Sequence, residues 1–123
     1  FGGRTVLVRA GASGSPWLAD MADSGLPIAV AHGEGRAEFD DAAHAARFWA
    51  EQDGQVWLRY VDNRHAVTER YPANPNGAER GLAGLTAADG RVLVMMPHPE
   101  RVCRSVQNAW RDPAWGEDGP WLR

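Results

Sequence analysis

Arg91-Val92-Leu93-Val94-Met95-Met96-Pro97-His98-Pro99-Glu100-Arg101 reads as an apolar strand that runs straight into a proline-bracketed His-x-Glu. The run Val92 to Met96 is the longest apolar stretch in the chain. It is far short of the ~20 residues that a membrane-spanning helix needs, and it suits a buried strand. Neither proline supplies a ladder amide, and Pro99 biases His98 toward an extended backbone. Residues two apart on an extended segment share a face. The Glu100 carboxylate is therefore expected to reach one imidazole nitrogen and leave the other free as a base. Strand ends of this kind are where open sheets place ligands. The same residues also support a purely structural reading: His98 ends a strand, and Glu100 opens the next helix, where the helix dipole favours it.

Outward from this stretch the chain alternates short strands and helices. Residues 82–87 form a second strand, joined to 91–96 by Ala88-Asp89-Gly90, a hairpin signal. Thr5-Val6-Leu7-Val8 marks the first strand, and residues 27–31 and 55–62 mark two more. Ser15-Pro16 opens a helix with Trp17, Leu18 and Met21 on one face, ended by Gly25. Asp40 or Asp41 caps another through Ala42, Ala45, Ala46, Phe48 and Trp49, with Gly54 beyond its end. Tyr71-Pro72-Ala73-Asn74-Pro75-Asn76-Gly77 is a shaped loop, because two prolines remove donors and Asn76-Gly77 favours positive φ. Val102, Val106 and Trp110 keep roughly helical spacing before the tail Trp115-Gly116-Glu117-Asp118-Gly119-Pro120-Trp121. Such interleaving indicates an α/β or α+β unit.

The 123 residues are 44% apolar, with six Trp, three Phe and two Tyr, enough to seed a core in one domain or part of one. A net charge of −3 without a Lys/Arg block argues against a nucleic-acid partner, and no run argues for a membrane. The single cysteine, Cys103, excludes an internal disulfide and a multi-cysteine zinc site, so a cytoplasmic location is expected. Phe1 is neither an initiator Met nor the start of a secretory signal, and a fragment is therefore expected.

A base needs a nucleophile, normally Cys or Ser. Cys103 lies only three residues past Glu100 and reads as a structural thiol, buried like a small hydrophobe. Ser13, Ser15, Ser24 and Ser105 lack a Gly-x-Ser-x-Gly setting. If His98 is a base, its nucleophile is expected off this chain. His32-Gly33-Glu34-Gly35-Arg36 ends another apolar strand, and its glycines admit a ligand to the backbone. It either lines the same cleft or is a polar strand exit with Glu34 and Arg36 in solvent. His44 and His65 are expected to be exposed. The histidines show no metal-ligand spacing, and the chain has no phosphate-cradling Gly-x-x-x-x-Gly-Lys loop, so neither a metal nor a nucleotide is expected here.

Taken in order, residues 27–36, Arg59-Tyr60-Val61-Asp62-Asn63, residues 71–77, Met95-Met96-Pro97-His98-Pro99-Glu100-Arg101 and residues 115–121 resemble the C-terminal glutaminase domain of the large, single-chain phosphoribosylformylglycinamidine synthases. The resemblance spans nearly the whole chain. It implies the C-terminal part of a flavodoxin-like class I glutamine amidotransferase domain, covering residues 1–123 and incomplete at its N-terminus. Its implied substrate is glutamine, and its implied partner is a synthetase domain of the same full-length chain, where ATP and Mg2+ would bind; no cofactor is implied in this segment. His98 matches the triad histidine, Glu100 the triad glutamate, and His32 and Gly33 a segment near the glutamine pocket. The family's nucleophile sits in a Gly-x-Cys-x-Gly-x-Gln elbow that this sequence lacks. Ala78 stands where the family has Ser. A nucleophile-less interaction domain is the other reading that this departure leaves open.

Overall fold

Apolar and β-branched runs become strands close to where the sequence places them, in a computed structural model that describes residues 2–11, 24–32, 38–51, 55–87, 91–104, 107 and 112–121. Among the described residues the strands are β1 (Gly2–Ala10), β2 (Gly25–His32), β3 (Val56–Val61), β4 (Leu82–Thr86) and β5 (Leu93–Met95), with one α-helix, α1 (Ala42–Glu51), between β2 and β3. The helix expected to open at Ser15-Pro16 lies outside the described residues, as do the turn residues Ala88-Asp89-Gly90. Gly25, expected to end that helix, instead begins β2. Past Glu100 the described residues include the 3-10 turn Pro99–Arg101, and Val106 and Trp110 of the expected helix lie outside the described residues. Asp41 is the cap of α1: its carboxylate accepts from the His44 amide at 2.7 Å and its carbonyl from Ala45 at 3.1 Å. Among the described residues no helix is long and apolar enough to cross a membrane.

The five strands form one sheet in the order β2-β1-β3-β4-β5, antiparallel at every pairing. The α/β composition expected from the sequence is present. The described strands do not form a parallel sheet among themselves, because neighbours run back on one another and β4 and β5 pair as a hairpin. The sheet is curled. Beyond β5 the Met96 amide donates to Ala83 O of β4 at 2.9 Å, and the His98 amide donates to Ala29 O of β2 at 2.8 Å. One short segment therefore joins the two edges of the sheet, with Pro97 buried between the two bonds, where its missing N–H leaves no partner unsatisfied.

The register aims one face of each strand into the curl. Val6 stands opposite Ile28, Val8 opposite Tyr60 and Ala10 opposite Leu58, and all six are buried with Trp57, Ala83 and Val102. Burial pushes the Tyr60 phenol above its usual range, so it is neutral at any physiological pH. A register shift between Val56 and Arg59 turns both Trp57 and Leu58 inward, which strict alternation does not allow. Gly84 makes room for this: a Cβ there would lie 2.9 Å from Trp57 Nε1 and 3.0 Å from Leu58 Cβ. On the outer face α1 covers β3 and β4, with Trp49 packed on Val56 and Leu82 beside Phe39 and Phe48. The guanidiniums of Arg59 and Arg80 lie 5.4 and 4.7 Å from the Trp49 ring centroid.

Two polar residues shape the long β3–β4 connection. Asp62 accepts from the amides of Arg64 at 2.8 Å and Ala66 at 3.1 Å, and these bonds, Ala66 first, lower its pKa. Fully buried Asn74 donates to Thr68 O and Ala78 O, both at 2.9 Å, and accepts from the Ala78 amide at 3.1 Å. Ala78 is itself fully buried. Asn74→Ala removes the donor to the buried Ala78 carbonyl and the part-buried Thr68 carbonyl and is expected to destabilise the protein by about 3 kcal/mol, read as a lower urea midpoint at unchanged m-value.

Candidate active site at the closing seam

His98 sits on the outer edge of β2, held by the bridge to Ala29, with an extended backbone at φ −114° and ψ 87°. Pro99 then occupies the first position of the 3-10 turn Pro99–Arg101, closed by the Arg101 amide on His98 O at 3.2 Å and the Val102 amide on Pro99 O at 3.0 Å. That turn brings Glu100 Oε1 to 2.8 Å from His98 Nδ1. The pairing expected from strand spacing is present, but it is made by the turn, and Glu100 also opens a short helical element. The His98–Glu100 contact of the first reading and the helical start of the second thus occur in the same residues.

Glu100 is an acceptor in this pair. Its own backbone amide, the larger cause, and the His98 ring hold its carboxyl below the usual carboxylate range. An ionised Glu100 takes the Nδ1–H, which leaves the lone pair of a neutral imidazole on Nε2. Among the described residues Nε2 has no hydrogen-bond partner, and the His98 side chain is 34% exposed. The arrangement is that of an oriented base open to a reactant.

Cys103 is not part of that pair. Its thiol lies 3.6 Å from Glu100 O and 3.5 Å from Gln107 Oε1, directed along its own turn. It is half-exposed, in contrast with the buried hydrophobe expected from its residue type, because the turn ends at the surface beside the tail. His32 ends β2, on the strand that carries Ala29, roughly 10 Å further along by strand rise. Gly33, Glu34, Gly35 and Arg36 lie outside the described residues. His65 is exposed, as expected, while the His44 side chain is only 41% exposed and pairs with Asp40.

Sequence reasoning missed the residues that hold the turn. Ala29 contributes only a carbonyl, which no side-chain pattern reports. Gly119 and Trp121 lie in the quoted tail but carry no chemical signature of their own. Their hydrogen bonds go to Cys103 O and Pro27 O, both at 2.7 Å, contacts that only folding creates. Among the described residues no group of three or more His, Cys, Asp or Glu side chains is placed to hold a metal ion.

Across residues 1–123 the sequence matches the model of a protein family described as the CobB/CobQ-like glutamine amidotransferase domain.

Because the folded pKa of Glu100 is depressed, the stabilisation from its bonds is present above the ordinary carboxylate pKa and lost as pH falls through the lowered value. A carboxyl carbon NMR titration is expected to place Glu100 below the usual carboxylate range. In His98→Ala its pKa should rise only part of the way back, since the larger cause, its own amide, remains. A full return to the ordinary value, or no change at all, would contradict this account of the pair.

Proposed function

The chain belongs to the CobB/CobQ-like glutamine amidotransferase family, and from that premise we propose that His98 and Glu100 are the base and the orienting carboxylate of its glutamine hydrolysis. The observation that carries this reading is the 2.8 Å contact from His98 Nδ1 to Glu100 Oε1, with Nε2 turned free. The nucleophile in this proposal is a cysteine thiol from a Gly-x-Cys-x-Gly-x-Gln elbow outside this sequence. Cys103 is a poor substitute, since its thiol is engaged with Glu100 O and Gln107.

The chemistry then follows from the pair. His98 Nε2 takes the proton of the thiol, and the thiolate attacks the side-chain amide carbon of glutamine to give a tetrahedral oxyanion. The C–N bond breaks, His98 returns the proton to the departing nitrogen, and ammonia leaves a thioester. His98 next takes a proton from water, the hydroxide adds to the thioester, and the C–S bond breaks to release glutamate and the thiol. Glu100 stabilises the imidazolium in each half and keeps Nδ1 protonated. Backbone amides near the elbow would bind the oxyanion.

The finer reading rests on the ordered resemblance of residues 27–36, 59–63, 71–77, 95–101 and 115–121. On it, this chain is the C-terminal portion of a flavodoxin-like glutaminase domain in a phosphoribosylformylglycinamidine synthase, with His32 and Gly33 near the glutamine pocket. Ammonia would pass to a synthetase domain of the same protein. There ATP, with Mg2+, would phosphorylate the amide oxygen of formylglycinamide ribonucleotide, releasing ADP, and ammonia would displace it as phosphate to give the amidine of purine biosynthesis.

The 123-residue chain by itself is expected to release no glutamate from glutamine. Joined to its elbow-bearing segment it should do so, losing about 10³-fold in kcat in His98→Ala, while Cys103→Ala stays within about twofold of the parent. Activity of the isolated chain that disappears in Cys103→Ala would move the nucleophile to Cys103 and overturn the proposal. ATP-dependent amidine formation with glutamine as nitrogen donor tests the finer reading separately.

A further inference from the structure

Residues 117–121 close a ring of hydrogen bonds around the His98–Glu100 turn. The ring starts on β2, where Ala29 O holds the His98 amide at 2.8 Å. It follows the turn to Cys103, whose carbonyl accepts from the Gly119 amide at 2.7 Å. It returns to β2 through the Trp121 indole, whose N–H donates to Pro27 O at 2.7 Å, two residues from Ala29. Arg104 ties the middle of the ring: it forms an antiparallel bridge with Asp118, and its guanidinium lies 2.7 Å from Glu117 Oε1 and 3.4 Å from Asp118 Oδ1.

Two features mark this as a built contact. A Cβ on Gly119 would lie 2.7 Å from Val102 O and 3.1 Å from Cys103 O, so the tail reaches the turn only because that position is glycine. Half-buried Trp121 packs against the main core, which gives the strap a fixed anchor. The ion pairs of Arg104 are largely exposed and contribute little to stability.

We propose that residues 117–121 are a strap that positions the His98 imidazole for glutamine hydrolysis, with Trp121 as the positioning residue. The inference rests on the glutaminase reading given above. Among the described residues, the other ties between the turn and the body of the fold include the His98–Ala29 bond and the buried Val102 side chain. A base has to be held to within about 0.5 Å of its productive position, and small displacements from remote changes reduce turnover steeply.

Trp121→Phe keeps the ring packing and deletes the donor. In the glutamine-hydrolysing protein that carries this chain, kcat should fall about fivefold to tenfold with KM within about twofold. The Glu100 carboxyl titration should move up toward the ordinary range as its bond to His98 loosens. Glu117→Gln with Asp118→Asn, on exposed side chains, reads the strap from its other end and should give a drop of about twofold to threefold in the same direction. That pair of substitutions carries the test if Trp121→Phe does not fold by circular dichroism. A variant set that lowers only the melting temperature, or leaves kcat and the Glu100 titration unchanged while His98→Ala is inactive, overturns the strap alone. A His98→Ala protein with parental turnover overturns the glutaminase reading, and the strap with it.

Discussion

Two backbone hydrogen bonds on either side of Pro97 set the architecture. The Met96 amide on Ala83 O still belongs to the hairpin of β4 and β5, and the His98 amide on Ala29 O belongs to the opposite edge of the sheet. A five-stranded antiparallel sheet left flat would expose two edges and one apolar face. Joining both edges through one segment curls the sheet, so that Val6, Val8, Ile28, Leu58 and Tyr60 enclose one another. The site lies on this seam, so whatever holds the core closed also places His98.

The seam gives the histidine its position, and the turn gives it its carboxylate partner. Pro99 starts a helical turn at once, and that turn swings Glu100 back to Nδ1 while the Glu100 amide helps to keep the carboxylate ionised. Two other polar residues of the recognisable stretches have structural tasks. Asp62 ties down the exit of β3, and Asn74 organises the loop beyond it from a fully buried position. Chemistry and scaffolding are thus divided among the stretches that resemble the glutaminase family, with the chemistry confined to His98 and Glu100 in the reading proposed here.

Membership in the CobB/CobQ-like glutamine amidotransferase family and this oriented imidazole point to the same reaction class. The proposed division of labour puts base and orienting acid on one turn and the thiol on a separate elbow, so hydrolysis requires both to be brought together at fixed distance. A tail that ties the turn back to β2 through Cys103, Arg104 and Pro27 serves that requirement. The half-exposed Cys103 then has a role through its carbonyl, as a contact point, while its thiol faces Gln107.

Local chemistry was legible in the sequence wherever it depends on neighbours within a few residues. Strand runs, the Asp41 cap, the Asn74 loop and the His98–Glu100 pairing all follow from side chains and prolines that act over one or two turns of chain. Some of what differs is also local: the turn rather than an extended segment makes the pairing. The rest is decided at long range. Inward packing of both Trp57 and Leu58 needs Gly84 on another strand, the antiparallel curl needs β2 to meet residue 98, and the hold on the turn needs Pro27 and Trp121 to come together. Backbone carbonyls such as Ala29 O and Pro27 O carry no residue-type signal. The sequence by itself therefore determined that His98 and Glu100 form a pair. The tertiary structure alone decided where that pair sits and what holds it, because those contacts join backbone groups far apart in the chain.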